Sequence, residues 1–452
     1  MESKQSSNFQ NDLTEGSVAK QLVRFSVPFF LSMLVQQSYA MIDMVIVSHF
    51  AGEASVAGVN NGGQLMFLAA AFAIGISIGG TVLVGQYFGA KRTEDVQKTT
   101  ATTLTAMLVM SFIMMAIFLP LSNLMLRTLR VPEESYSEAF RYLVITLCGL
   151  PFIFMYNAIS GILRGMGDTK RPLLFITGAS IFSAVLDLIL IGIFRLDAAG
   201  AAISTVAAQA GCVFVSAIYL TRKGFIFDFK PKSFVIHKDK LMLILKLGVP
   251  TGFSQLVINF SFLLMVFLVN DYGVSVAAGA GLVGRFNGLV IMPLIAIGSS
   301  VSTMCAQNFG ANRFDRAIHT MKVGTGISLA LAVFCFVTVQ LFPGAIMSLF
   351  TSSEAVINAG IIYMRAYSFD YLAVAFFFSL NGLIGGAGHA NITLIAALIS
   401  SIGIRIPAAL ILSKTIGLGL YGIGLAVPAA TLGATIFLAA YYFSGRWRSS
   451  LI

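Results

Sequence analysis

A chain of 452 residues with 57% hydrophobic and only 11% charged side chains cannot cover a water-facing surface, for which roughly 25% charged residues is ordinary. Its formal charge of +10 comes without basic and aromatic side chains interleaved as on a nucleic-acid surface, so no nucleic-acid partner is expected. Cys148, Cys212, Cys305 and Cys335 lie in apolar stretches without CxxC spacing, and His49, His237, His319 and His389 form no HxxxH pair, so neither a disulfide framework nor a metal-enzyme centre is expected.

The first twenty residues are polar and lack the regions of a removable leader, so the first span is expected to be its own insertion signal. Beyond them, apolar runs of about 20 residues or more, the length that crosses a hydrocarbon core of about 30 Å, recur to the end. The ten-residue alternation of a membrane barrel does not. The breaks predict twelve helices: 22–47, 55–84, 97–122, 136–163, 172–194 and 198–221, then 241–270, 277–306, 318–342, 357–385, 392–413 and 418–443.

The two sets of six are copies. Residues 84–92 read VGQYFGAKR and residues 305–313 read CAQNFGANR; Gln86 and Gln307, Tyr142 and Tyr363, Gly165 and Gly386, and Gly167 and Gly388 each stand 221 residues apart, while Val27-Pro28 and Val249-Pro250 stand 222 apart. Such a repeat signals a duplicated design. An even number of spans per copy keeps both in one orientation. The expectation is an all-α polytopic membrane protein with an N-lobe (1–221), a linker (222–240) and a C-lobe (241–452), related by a pseudo-two-fold axis along the membrane normal.

Lys and Arg set the orientation. On one side, the N-terminus and alternate connections hold 21 of them, among them Lys4, Lys91, Arg92, Lys170, Arg171, seven in or beside the linker, Arg313 and Arg446; the other side holds 4, Arg127, Arg130, Arg195 and Lys414. Both termini are therefore expected in the cytoplasm, and the protein in the cell membrane. The repeated loop then lies on the cytoplasmic side, where tight turns and headgroup anchoring would account for it.

An acidic residue at mid-bilayer costs roughly 2.5 to 3.5 kcal/mol on insertion scales and is a functional candidate by default. Three qualify: Asp43, Asp187 and Asp370. Asp43 follows Pro28, which is expected to kink its helix. Asp187 has Ser183 one turn before it on the same face. Two carboxylates and a hydroxyl would make an oxygen-rich pocket of the kind hard cations prefer; a plainer alternative is that each is a hydrogen-bonded core group. Asp370 faces Arg365 and Arg405, and an internal ion pair is the simpler expectation. Arg285 has no sequence-local acid and would line a water-filled cavity.

With these residues in view, the chain resembles the multidrug and toxic compound extrusion (MATE) family over essentially its full length. The resemblance rests on LTEGSVAKQLVRFSVP, QQSYAMIDMVIVSHFAG, VGQYFGAKR, LRGMGDTKRP, SAVLDLILIG and GAAISTVAAQ in that order. It implies secondary active efflux of lipophilic, mostly cationic small molecules against an inward H⁺ or Na⁺ gradient, by rocking of two lobes in a monomer, without enzymatic chemistry or a cofactor. Within the family it looks like the DinF-like branch, which implies a coupling site at Asp43, Asp187 and Thr205, with Ser183 where that branch commonly has Asn; the ion is left open between a proton and Na⁺ held at the two acids. In the NorM-like branch the C-lobe acids fall near Ile258 and Val374 here, so no C-lobe ion site is implied. Substrate is expected near the midplane of a central cavity, at Gln36, Asn60, Asn157, Gln255 and Arg285, with Pro28 and Pro250 as hinges. The alternative function is a flippase for a lipid-linked precursor, which would want more deep Arg and Lys than Arg285, Arg365 and Arg405. A membrane enzyme would need a nucleophile, base or metal cluster that no span supplies.

Single cysteines placed beside Lys91, Lys170, Pro231 and Arg313 should stay unmodified when an impermeant thiol reagent is added to intact cells. Strong labelling at two of these positions would reverse the assigned orientation.

Overall fold

The computed structural model describes residues 11–448 and 451–452; Lys4, counted above, lies outside them. A hydrocarbon core offers the backbone no partners, so an apolar span must satisfy its own N–H and C=O groups, and a helix does this residue by residue. The described residues accordingly form helices joined by short connections. They are α1 (Val18–Phe50), α2 (Gly52–Gly89), α3 (Thr93–Thr128), α4 (Glu133–Cys148), α5 (Leu150–Gly165), α6 (Lys170–Asp187), α7 (Asp197–Arg222), α8 (Lys238–Asn270), α9 (Val274–Gly310), α10 (Phe314–Leu341), α11 (Pro343–Ser348), α12 (Glu354–Tyr367), α13 (Phe369–Gly386), α14 (Ala390–Leu398), α15 (Ile406–Leu410) and α16 (Gly419–Phe443).

Eleven stretches are each long and apolar enough to cross a membrane, α12 with α13 counting as one; α4 and α5, bent by 51° at their junction, make a twelfth. The fourth span was expected to run unbroken. Gly149 and Pro151 lie at the break, where proline removes a backbone donor and crowds the preceding turn. Two spans depart from α geometry without proline at the start of the departure: α6 continues as a π turn over Leu188–Ile193, and π turns cover Ile399–Arg405 and Ile411–Thr415 on either side of α15.

The chain divides into two compact units. The first contains Pro28–Gly252 with the described residues before Leu13, and the second contains Leu13–Val27 and Phe253–Ile452. The borders expected at 221 and 241 do not coincide with this division: the first turns of α1 group with the second unit, and the first half of α8 with the first. The reason for α8 is backbone contact. A Cβ on Gly75 would meet the Gly248 carbonyl at 2.5 Å, and one on Gly79 would meet the Ile244 carbonyl at 2.6 Å, so two small-xxx-small pairs let α2 and α8 touch main chain to main chain.

Within the first unit α2 is the hub, packed by α3, α4, α5 and the start of α8. Ser77 Oγ donates to the Asn157 carbonyl at 2.7 Å and Thr81 Oγ1 to the Gly161 carbonyl at 2.9 Å. Within the second unit α9 and α13 are central, around a core holding Met265, Val283, Met364, Tyr371, Ala409 and Ala426.

Gly58 sits 2.8 Å, by its would-be Cβ, from the backbone nitrogen of Ala139, whereas Gly63 has nothing within 4 Å. Gly58→Val should cost about 1–3 kcal/mol or more by overpacking, and Gly63→Ala should gain up to about 1 kcal/mol of helix propensity. Thermal unfolding in detergent checks both; equal melting of the two variants would refute the α2–α4 contact.

Candidate functional site

Three helices of the first unit carry the expected coupling residues, two of them at one-turn spacing and the third at adjacent positions. On α1, Tyr39 precedes Asp43 by four residues; on α6, Ser183 precedes Asp187 by four; on α7, Ser204 and Thr205 are adjacent. Residues four apart stack on one helix face, so the site forms in two layers.

The carboxyl layer is Asp43, Asp187 and Ser204. Asp43 is 7% exposed, and Asp187 and Ser204 are fully buried. Ser204 Oγ donates to Asp187 Oδ1. Asp43 Oδ1 and Asp187 Oδ2 are buried with no conventional donor, yet the two carboxyls interact directly, by charge and at hydrogen-bonding range. Two acceptors facing each other are satisfied only by something between them, a proton or a cation.

The hydroxyl layer is Tyr39, Ser183 and Thr205. Ser183 Oγ donates to the Tyr39 hydroxyl at 2.9 Å, and the Tyr39 hydroxyl lies 2.7 Å from Thr205 Oγ1. Asp43, Asp187, Ser183 and Thr205 are thus brought together, with one difference from expectation. Thr205 meets the tyrosine, and the α7 hydroxyl that touches a carboxylate belongs to Ser204. Reading residues singly missed Tyr39 and Ser204; the spacing Tyr39-xxx-Asp43, parallel to Ser183-xxx-Asp187, was the signal for the first, and the adjacent hydroxyls in GAAISTVAAQ for the second.

The expected substrate residues do not converge within either unit. Gln36 and Asn60 are exposed on the first unit, and the half-buried Asn157 donates to its own helix at the Ile153 carbonyl, 2.8 Å away. On the second unit Arg285 is exposed and Gln255 half-buried, its carbonyl accepting from Asn259 at 2.8 Å. Pro28 and Pro250 both lie inside continuous helices, α1 and α8. A cavity of ≈ 300 Å³ on the second unit, lined by Met321, Lys322, Thr325, Phe376, Leu380 and Tyr442 among others, includes none of these residues.

Asp370 and Arg405 also depart from expectation. Both are buried, at 3% and 5% exposure, but no ion pair joins them among the described residues; they feel each other only as charges at longer range. Asp370 lies beside the Thr431 hydroxyl, which is 3.2 Å from the Val427 carbonyl of its own helix. The Arg405 guanidinium lies over the Phe262 ring, 4.2 Å from its centroid, and donates to Ser261 Oγ at 3.3 Å. Cation–π contact and a serine replace the partner that the sequence suggested.

The MatE family profile matches residues 28–189 and 250–411, the same segment twice at a spacing of 222. Curated relatives cover nearly the whole chain. The probable multidrug resistance protein YpnP of Bacillus subtilis (strain 168) is 31% identical over 97% of this chain and 98% of its own, and the probable multidrug resistance protein NorM of Thermotoga maritima is 24% identical over 96% and 94%. Among solved structures, an outward-facing multidrug resistance MATE family transporter of the MOP superfamily superposes with a TM-score of 0.91 at 22% identity, covering 99% of this chain and all of that one. A MOP superfamily transporter from Pyrococcus furiosus gives the same score and identity. A twice-matched family segment, twelve spans and full-length relatives agree, and the chain belongs to the MatE family of multi-pass multidrug transporters.

Proposed function

We propose that this transporter is an antiporter that expels lipophilic cations in exchange for an ion taken up at Asp43 and Asp187. The observation that carries the reading is a pair of buried, interacting carboxyls, each with one oxygen that no donor reaches. Such a pair has two low-energy states, one with a shared proton or bound cation and one without, and a gradient acts on the difference.

Ser204 suits such a cycle. Its hydroxyl meets Asp187 on one side and lies 2.9 Å from the Ala201 carbonyl on the other. It donates to Asp187 when that group is charged; when Asp187 carries a proton, it accepts from the acid and turns its own hydrogen to Ala201. Either state leaves the serine satisfied, as a buried hydroxyl requires. The hydroxyl layer beneath provides further neutral oxygens, so Na⁺ in place of the proton would also find a hard ligand set.

Substrate contact is assigned to Gln36, Asn60 and Arg285, which are exposed, and to the half-buried Gln255, with Asn157 contributing once its helix hydrogen bond is exchanged. A lipid-linked substrate would call for clustered cations, and Arg405 is already engaged with Phe262 and Ser261, which favours drug export. Cytoplasmic termini and a monomer in the cell membrane complete the reading.

Proteoliposomes loaded with ethidium separate the ions: an imposed proton gradient and an imposed Na⁺ gradient are applied in turn. Efflux under neither gradient would refute antiport. Asp43→Asn and Asp187→Asn should each abolish gradient-driven efflux while the protein remains folded in detergent; wild-type rates in either would make the acids structural. Ser204→Ala leaves a buried acceptor without its donor, at about 1–3 kcal/mol, so it should slow efflux roughly tenfold or more. Thr205→Ala, whose hydroxyl meets Tyr39 and neither carboxyl, should be milder; the reverse order would move the α7 ligand back to Thr205.

A further inference from the structure

The duplicated segment, residues 84–92 and 305–313, was expected to be a loop; the structure makes it the last turns of α2 and of α9 with the tight turn that follows each, and both copies make the same kind of contact. In the second unit the loop and the start of α10 grip the residues that lead into α1. Arg313 Nη1 donates to the Thr14 carbonyl at 2.6 Å, Arg316 donates to the Gly16 and Glu15 carbonyls at 2.8 and 2.9 Å and to Gln21 Oε1 at 2.8 Å, and Gln307 Oε1 accepts from the Leu13 amide at 3.0 Å. In the first unit the matching loop grips the residues that begin α8. Lys240 Nζ sits 2.6 Å from Asp95, donates to the Tyr87 hydroxyl at 2.8 Å and lies 4.2 Å from the Tyr87 ring centroid.

The correspondence is positional. Gln86, Tyr87, Arg92 and Asp95 of the first copy stand 221 residues before Gln307, Asn308, Arg313 and Arg316 of the second. The charges are reversed: the first loop supplies the acid and receives a lysine, whereas the second supplies arginines and receives carbonyls and Glu15. Each loop holds the first helix of the opposite sequence half, and these two helices, α1 and α8, are the ones that change units, at Val27/Pro28 and at Gly252/Phe253.

We propose that the repeated loop is a pair of crossed clasps that stay shut through the transport cycle, with Arg316 and Lys240 as positioning residues for α1 and α8. Relative movement of the units then falls on the proline-bearing stretches at Pro28 and Pro250. The proposal rests on the transporter reading for its consequence in efflux, though not for the clasp itself. Lys240 is 4% exposed and Thr14 likewise, so both clasped segments are shielded, and opening a clasp would strip several charge-assisted hydrogen bonds at once.

Two measurements on the full-length protein in proteoliposomes test this, after replacing the four native cysteines. In the first, Thr14→Cys is alkylated by a maleimide with Arg316 intact and with Arg316→Ala; loss of the clasp should speed labelling roughly tenfold, following the opened fraction, and equal rates would overturn the clasp whatever the protein transports. In the second, Asp95→Cys with Lys240→Cys should slow ethidium efflux per folded protein roughly fivefold, the size of effect expected for residues that modulate coupling without touching ligand. Bridging that pair with a short bifunctional thiol reagent should restore efflux to within about twofold of the cysteine-free parent without changing the half-saturating ethidium concentration. Efflux blocked by the bridge would show that the segment must leave during the cycle and would overturn the proposal; so would a loss that merely follows the amount of folded protein. If the parent moves no ethidium under either gradient, the antiporter reading fails while the labelling result still decides the clasp.

Discussion

Two carboxyl groups turned toward each other inside an apolar bundle cannot both remain ionised with nothing between them, and much of the first unit is arranged around that constraint. Asp43 and Asp187 reach each other only because α1 and α6 run side by side with matched one-turn spacing. Ser204 reaches Asp187 because α7 begins at small residues, the fully buried Ala198, Ala201 and Ala202 and the buried Gly200. Small side chains there bring the α7 backbone close to the π turn after Asp187: a Cβ on Gly200 would meet Ile191 at 2.9 Å. Within the first unit the cost of burying two carboxyls among apolar helices is thereby gathered at one place.

Duplication explains the scaffold and sharpens what is particular to the site. At the spacing of 222 that the family match shows, Asp43 and Asp187 correspond to Met265 and Ala409, and the same spacing carried one helix beyond the match sets Ser204 against Ala426; all three counterparts lie in the apolar core of the second unit. The same helix positions therefore face inward in both halves. One half fills them with hydrocarbon and the other with oxygen. The buried charges of the second unit, Asp370 and Arg405, occupy other positions, Asp370 beside Thr431 and Arg405 held by Ser261 and the Phe262 ring.

Much of this was legible in the sequence. Hydropathy alone located the spans, because in lipid an apolar run has little choice but to become a helix, and the repeat was readable because Gly, Pro and the loop residues mark backbone geometry. Asp43 and Asp187 stood out because charge at such depth is costly; Ser183 followed from its place one turn before Asp187, and Thr205 came only from the family resemblance. Tyr39 and Ser204 did not stand out: a tyrosine and a serine are ordinary in a membrane helix, and only the third helix reveals that one bridges two hydroxyls and the other satisfies a carboxylate. The Asp370–Arg405 pair was misjudged for a related reason, since neighbouring spans give proximity without the geometry that distinguishes an ion pair from a cation over a ring. The unit borders were hidden as well, because Gly75, Gly79 and Gly248 read as unremarkable small residues until two backbones are seen to touch there.

The π turns were the least readable feature, since LILIGI is only an apolar run. Leu188–Ile193 begins directly after Asp187, and a π turn beside a functional residue invites the view that function shaped it. The repeat argues otherwise. Ile411–Thr415 is also a π turn, and at the same spacing it overlies residues 189–193. There the residue before the turn is apolar, and the packing is the same, with a would-be Cβ on Gly422 meeting the Leu412 carbonyl at 2.7 Å. The widened turn thus belongs to the way this span seats against the glycine at the start of the next. The carboxylate therefore sits beside a widened turn that both halves share, and there it meets Ser204 and Asp43.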